Sequence, residues 1–233
     1  MDQRTLHLED FRMMWRIREA IEGRPIPKPQ SVFRYMHKKY VDLFFKSGTL
    51  QLSSYESNRA IEDSVRQDER EGTGEYFVVS RDRSLTIQLG ARAFDHRMLC
   101  TSTSSDIDRM MNHFRVDGCF EVTNTTGFGF EVAKALDAFR FGLEGIVTYQ
   151  DGYRKNLLLE QHQHLPDLQS SEPSNEQLFH YLDIIGRTDH DLLFTKPLIF
   201  QQEQEYRFNW RCAPDHFKSI HCPGALKYCR RIP

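Results

Sequence analysis

No run of the chain approaches the roughly 20 apolar residues that a membrane-crossing helix requires, so a helical integral membrane protein is not expected. A dominant charge is missing too: 31 Lys and Arg stand against 33 Asp and Glu, a formal net charge of −2. That balance excludes a whole-surface electrostatic grip on nucleic acid but not a local basic patch. The five cysteines are odd in number and form no C-x-x-C, which argues against a disulfide framework and reads as apolar filler in a reduced, cytoplasmic protein. Cys212, His216, His221, Cys222 and Cys229 lie near one another, but their spacing fits no zinc finger or ribbon, and no metal is expected. The opening residues MDQRTLHLEDFRMMWRIREAI contain acidic side chains and no bare apolar core, so they do not read as a secretory leader. There is no G-x-S-x-G elbow, and Gly127-Phe128-Gly129 lacks the Lys-Ser/Thr of a phosphate-cradling loop. Neither internal repeats nor low-complexity tracts occur.

What remains is 233 residues, 39% hydrophobic and 12% aromatic, enough for a real core under a polar surface (mean hydropathy −0.60). Residues 1–30 read as an amphipathic helix over Leu8–Glu22 and a proline-rich connector, and residues 31–233 as a single domain. Pro25, Pro27 and Pro29 at alternate positions cannot continue a helix. Strands are expected at Ser31–Met36, Thr49–Ser53, Tyr76–Ser80, Leu85–Leu89, Arg97–Ser104, Cys119–Thr123 and Gly145–Tyr149, with one long strand at Pro197–Trp210. Helices are expected at His37–Ser47, from Ser105-Asp106 onward, around Phe130–Phe139 and at Gln177–Ile185, with a charged helix or lid over Glu56–Arg70 and a polar loop over Gln161–Asn175. Short strands mixed irregularly with helices indicate the α+β class.

The last strand carries the most chemistry. At period two, Tyr206, Phe208 and Trp210 share one face, and Glu203, Glu205, Arg207 and Asn209 share the other. Two carboxylates so placed stand roughly 7 Å apart at Cα, and close like charges raise at least one pKa unless a cation compensates. Arg207 is the compensator within the strand. A solvated outer face and a cleft-lining carboxylate pair fit this pattern about equally. A metal-dependent nuclease ranks lower, since it needs a lysine beside its carboxylates and Lys196 precedes the strand.

Arg34 in VFRY, Ser102-Thr103-Ser104 in MLCTSTS and Glu203-x-Glu205 in EQEYRF occur in the order found in the arginine–serine–glutamate class of ADP-ribosyltransferases, which the chain resembles. The layout from Ser31 to Trp210 also resembles a widespread, poorly characterised bacterial family associated with abortive infection, through an early helix with a G-x-L strand, a Met-x-x-Phe helix and a terminal K...F..E.EYR run. The intervals of 68 residues from Arg34 to Ser102 and 103 from Ser102 to Glu205 imply insertions in a minimal transferase core.

The resemblance implies an ADP-ribosyltransferase-like split, mixed and antiparallel sheet with peripheral helices, and NAD as co-substrate. Arg34 would pair with the NAD phosphates, and Ser102, Thr103 and Ser104 would support the nicotinamide pocket and position the last glutamate. Glu205 would bind the nicotinamide ribose and stabilise its oxocarbenium-like charge, and Glu203 would orient or deprotonate the acceptor. Ser53, in the run Leu52-Ser53-Ser54-Tyr55, is the alternative source of the serine motif, as in the histidine–tyrosine–glutamate class with His37 standing for its histidine; Tyr55 is a candidate for stacking on nicotinamide. As an exposed cleft carboxylate, Glu205 would be replaceable by alanine without loss of fold. The function implied is a bacterial toxin or antiviral defence effector that modifies RNA, DNA or protein and is restrained by a neutralising antitoxin partner. The rival is a non-enzymatic interaction or sensor protein of an abortive-infection system, in which Glu205→Gln leaves activity intact.

Overall fold

The computed structural model describes residues 6–21, 24–59, 68, 70–93, 96–152, 154–161, 165–169, 172–188, 191–212 and 219–233. Its centre is a mixed sheet whose strands run, edge to edge, Trp15–Ile17, Phe141–Ile146, Glu205–Arg211, His96–Ser102, Val32–Met36, Gly118–Val122 and Cys229–Ile232, with the short Ser53–Ser54 strand also paired to His96–Ser102. All neighbours are antiparallel except Trp15–Ile17, which is parallel to Phe141–Ile146. A separate three-stranded sheet joins Arg154–Leu158, Thr73–Val79 and Thr86–Arg92. With helices packed on these sheets, the architecture is α+β. Among the described residues, no helix is long and apolar enough to cross a membrane.

The alternation in the sequence decides which face each strand buries. Val32 and Met36 enter the main core with Leu99, Phe120, Val122, Phe208 and Trp210, whereas Phe33 and Tyr35 enter a smaller cluster with Met110 and Cys119. Helix Lys38–Ser47 buries Val41 and Phe44 and stops at Gly48, whose φ of 71° gives the left-handed cap. Helix Ile107–Phe114 starts where expected, with the Asp106 side chain accepting from the Arg109 N–H. Each large side chain fully buried here contributes about 1.5–3 kcal/mol of transfer free energy.

Three expected elements are corrected. The N-terminal helix ends at Met14, and Trp15–Ile17 becomes an edge strand, because Gly142 and Gly129 leave room for the Trp15 ring. Phe11 and Trp15 lie in the main core. The helix expected at Phe130–Phe139 runs instead from Thr125 to Lys134, capped by Asn124; Gly127 and Gly129 are tolerated inside it because the Tyr228 and Trp15 rings occupy the space of their side chains. The expected Gly145–Tyr149 strand is divided into the end of Phe141–Ile146 and a separate Thr148–Gln150. Of the charged helix expected over Glu56–Arg70, the described part is helical at Tyr55–Arg59; residues 60–67 and 69 lie outside the described residues, as do His216 and part of the Gln161–Asn175 loop.

Candidate active site

The expected long strand at Pro197–Trp210 is broken, and the break builds the site. Thr195–Pro197 pairs in parallel with Thr148–Gln150, Leu198–Glu203 forms a 3₁₀ turn, Gln204 takes a left-handed φ of 47°, and only then does Glu205–Arg211 enter the sheet. Glu203 and Glu205 therefore belong to different elements rather than to one strand face. They converge nonetheless, because the 3₁₀ turn folds Lys196 back between them: its Nζ lies 2.7 Å from Glu203 Oε2 and 3.1 Å from Glu205 Oε2.

Behind this pair, Arg207 is fully buried and each of its three nitrogens is engaged. Nε donates to Glu205 Oε1, Nη2 to Glu71 Oε1 and Nη1 to the Leu193 carbonyl, each at 2.7 Å. The polar face of the strand is thus internal, and a solvated outer face is excluded. Glu205, only 2% exposed, is likewise not the exposed carboxylate expected from the sequence. Burial alone would push its carboxyl up, but the Arg207 guanidinium and Lys196 ammonium hold it well below the usual carboxylate range. Burial instead prevails at Glu203 and pushes it up to about 7, with Lys196 opposing and the Glu205 charge assisting. At Lys196 the three nearby carboxylates outweigh burial and raise the ammonium's pKa well above the ordinary lysine value.

The hydroxyl strand holds the turn in place. Ser102 is paired with Glu205, and its Oγ donates to the Glu203 carbonyl at 2.7 Å while accepting from the Ser104 N–H. The Thr103 N–H donates to the Gln204 carbonyl at 2.9 Å, and its hydroxyl reaches the same oxygen at 3.3 Å. Tyr149 OH accepts the Glu205 N–H at 2.7 Å. The backbone on either side of Gln204 is therefore clamped, which fixes where both carboxylates point.

Ser102, Lys196, Glu203 and Glu205 face a cavity of about 380 Å³. It opens where Val32–Met36 and His96–Ser102, joined at Phe33↔Ser102, diverge instead of continuing their ladder. Glu71, Lys196, Glu203 and Glu205 form its charged part, with Ser53, Ser57 and Asn58; Phe33, Met36, Tyr40, Leu52, Phe114 and Val116 supply apolar surface. Arg34 lines the wall between the two strands, with Nη1 donating to the Cys100 carbonyl at 2.5 Å across the split. His37 also lines the cavity and lies 3.4 Å from Asp117 Oδ1.

Of the residues singled out from the sequence, Arg34, Ser53, Ser102, Glu203 and Glu205 line this one cavity. Three do not. Thr103 and Ser104 act on the backbone behind the wall, Ser104 accepting from Arg109 Nη2 at 3.2 Å. Tyr55 is buried beneath the site, its hydroxyl donating to Asn209 Oδ1 at 2.6 Å, its ring under Arg207 and against Gly72. A stacking role on nicotinamide is corrected to a structural one. Two wall residues were missed: Glu71, hidden in a charged stretch that reads as solvated, and Lys196, which opens the K...F..E.EYR run but sits too far from Glu203 if the segment is extended.

Glu71, Cys100 and Glu205 bring donor atoms within 4.8 Å of one another, the geometry of a possible metal site. Their chemistry does not suit one: Arg207 takes an oxygen of each carboxylate, and burial, with the Glu205 charge, raises the Cys100 thiol well above its ordinary pKa. No family model, curated protein or solved structure matches this chain.

Proposed function

We propose that the protein is an NAD-dependent ADP-ribosyltransferase that modifies a macromolecule, with its split sheet serving as the ADP-ribosyltransferase-like core of a toxin or defence effector. One observation carries this reading. Arg34, Ser102, Glu203 and Glu205, drawn from distant parts of the chain, meet on a single cavity where the sheet opens. Arg34 would meet the pyrophosphate by charge-assisted hydrogen bonds. Glu205, kept ionised by its two cations, would lie against the nicotinamide ribose. The bond from its C1′ to the nicotinamide nitrogen breaks with its electron pair going to the ring, neutral nicotinamide leaves, and the positive charge left on the ribose is stabilised by the carboxylate. The acceptor's oxygen or nitrogen forms the new bond to C1′ and gives its proton to Glu203, which requires Glu203 as carboxylate.

Lys196 beside two carboxylates favours a second reading, a metal-dependent nuclease. Its fit is poorer, because Lys196 and Arg207 already bridge the carboxylate oxygens and a divalent cation would have to displace the ammonium.

The test is incubation of the purified protein with labelled NAD and separate pools of RNA, DNA and lysate protein. Label in one pool with release of nicotinamide, both lost in Glu205→Gln, is the expected result. Free ADP-ribose without label transfer identifies hydrolysis instead. If NAD neither binds nor yields nicotinamide, the enzymatic reading is overturned in favour of a non-enzymatic interaction protein.

A further inference from the structure

Three carboxyl groups and Lys196 line the cavity, with Arg207 fully buried behind them. Glu71 and Glu205 both lie on Arg207 at 2.7 Å, whereas Glu203 meets Lys196, which Glu205 shares. With all five ionised, the cluster would carry a net negative charge on side chains no more than 7% exposed, so one acid is better held with its proton. The two other ionisable groups beside the pair stay neutral, since burial raises both the Tyr149 hydroxyl and the Cys100 thiol. Arg34 adds a positive charge on the opposite wall.

We propose that Lys196 is a positioning residue that decides which acid keeps this proton: by bridging the two glutamates it commits Glu205 to the carboxylate and leaves Glu203 to exchange a proton with the cavity. The geometry makes this assignment asymmetric. Glu205 has a guanidinium and an ammonium, one on each oxygen, while Glu203 has a share of the ammonium. Lys196 is itself fixed by the Tyr149↔Lys196 pairing and by packing of its Nζ 4.7 Å over the Phe200 ring, so it cannot follow one partner without leaving the other. The direction of the Glu203 and Glu205 shifts agrees with this division. The proposal rests on the transferase reading only for what the exchange serves: once Glu203 has released this proton, its carboxylate can take the acceptor's.

The experiment is a carboxyl ¹³C titration of the ligand-free, glutamate-labelled full chain. One carboxyl is expected to titrate at about 7 and to vanish in Glu203→Gln. In Lys196→Met its midpoint rises by about one unit or more, as loss of an adjacent opposite charge demands, while Lys196→Arg stays near the wild-type value. An unchanged midpoint in Lys196→Met, or a second wild-type carboxyl titrating in the same range and lost in Glu205→Gln, overturns the proposal. If Lys196→Met does not fold, Lys196→Met combined with Glu203→Gln is read instead. Removing the pair together should restore a cooperative thermal unfolding transition, and a double variant that also lacks one refutes the bridge. Failure of the transferase reading appears separately, as absence of NAD binding, and leaves the titration untouched.

Discussion

Replacing Glu205 by alanine removes the carboxylate that neutralises one side of Arg207 and one side of Lys196, both buried. Arg207 keeps Glu71 and Lys196 keeps Glu203, yet each loses a charge contact at 3.1 Å or closer. Breaking a buried ion pair on one side costs about 3–5 kcal/mol. Against a total stability of about 5–15 kcal/mol, that is enough to unfold a large fraction of the protein in a marginal case. Glu205→Gln preserves the shape and costs less, about 1–3 kcal/mol, because the amide oxygen still accepts from Arg207 and Glu203 can ionise to match Lys196. Urea unfolding of both variants at mildly alkaline pH measures the difference. An alanine variant within about 0.5 kcal/mol of wild type would falsify the ion-pair account, since that is the behaviour of a surface position. The glutamine variant is accordingly the one suited to activity measurements.

Stability should fall as pH rises from the ordinary glutamate range through about 7, because folded Glu203 retains a proton that the unfolded chain has already released. The swing is at most about 3 kcal/mol, and Glu203→Gln should abolish it; urea midpoints across pH that show no such slope in the wild type refute the assignment. Glu205 acts in the opposite sense, its stabilisation being present above the ordinary carboxylate range and lost as pH falls below it. Tyr55→Phe should cost about 1–3 kcal/mol through the orphaned Asn209 partner while leaving NAD affinity unchanged in calorimetry. A tenfold loss of affinity would return Tyr55 to the binding wall. Gly142→Ala, which drives a methyl group into the Trp15 ring, should cost about 1–3 kcal/mol and raise hydrogen exchange at Arg18, whose N–H bonds to Glu144.

Much of the frame was legible where one period ran undisturbed. The two faces of Val32–Met36 and the separation of Tyr206, Phe208 and Trp210 from Glu205, Arg207 and Asn209 follow from alternation alone, and Gly48 and Asp106 marked helix ends through their own backbone chemistry. The reading failed where tertiary contacts overrode local preference. Leu198 and Ile199 look like strand residues, yet they form the exposed part of a 3₁₀ turn, and that turn alone brings Lys196 to Glu203. Gly127 and Gly129 look like helix breakers until the aromatic rings above them are known. Motif spacing identified the two glutamates and alternation put Arg207 beside Glu205; neither could tell that Lys196 bridges the pair or that Glu71 shares Arg207, since a linear pattern scatters both among ordinary surface charges.

The order of strands in the central sheet also bears on how the chain comes off the ribosome. Residues 96–102 and 141–146 lie on either side of residues 205–211, so neither has its partner on that flank until the later segment has been synthesised. Such distant pairings close slowly. While residues 147–204 are being made, the nascent chain therefore lacks the strand that joins the two sides of the sheet, and both acidic side chains arrive only with that segment. Whatever chemistry the cavity performs is switched on by the completion of the sheet itself.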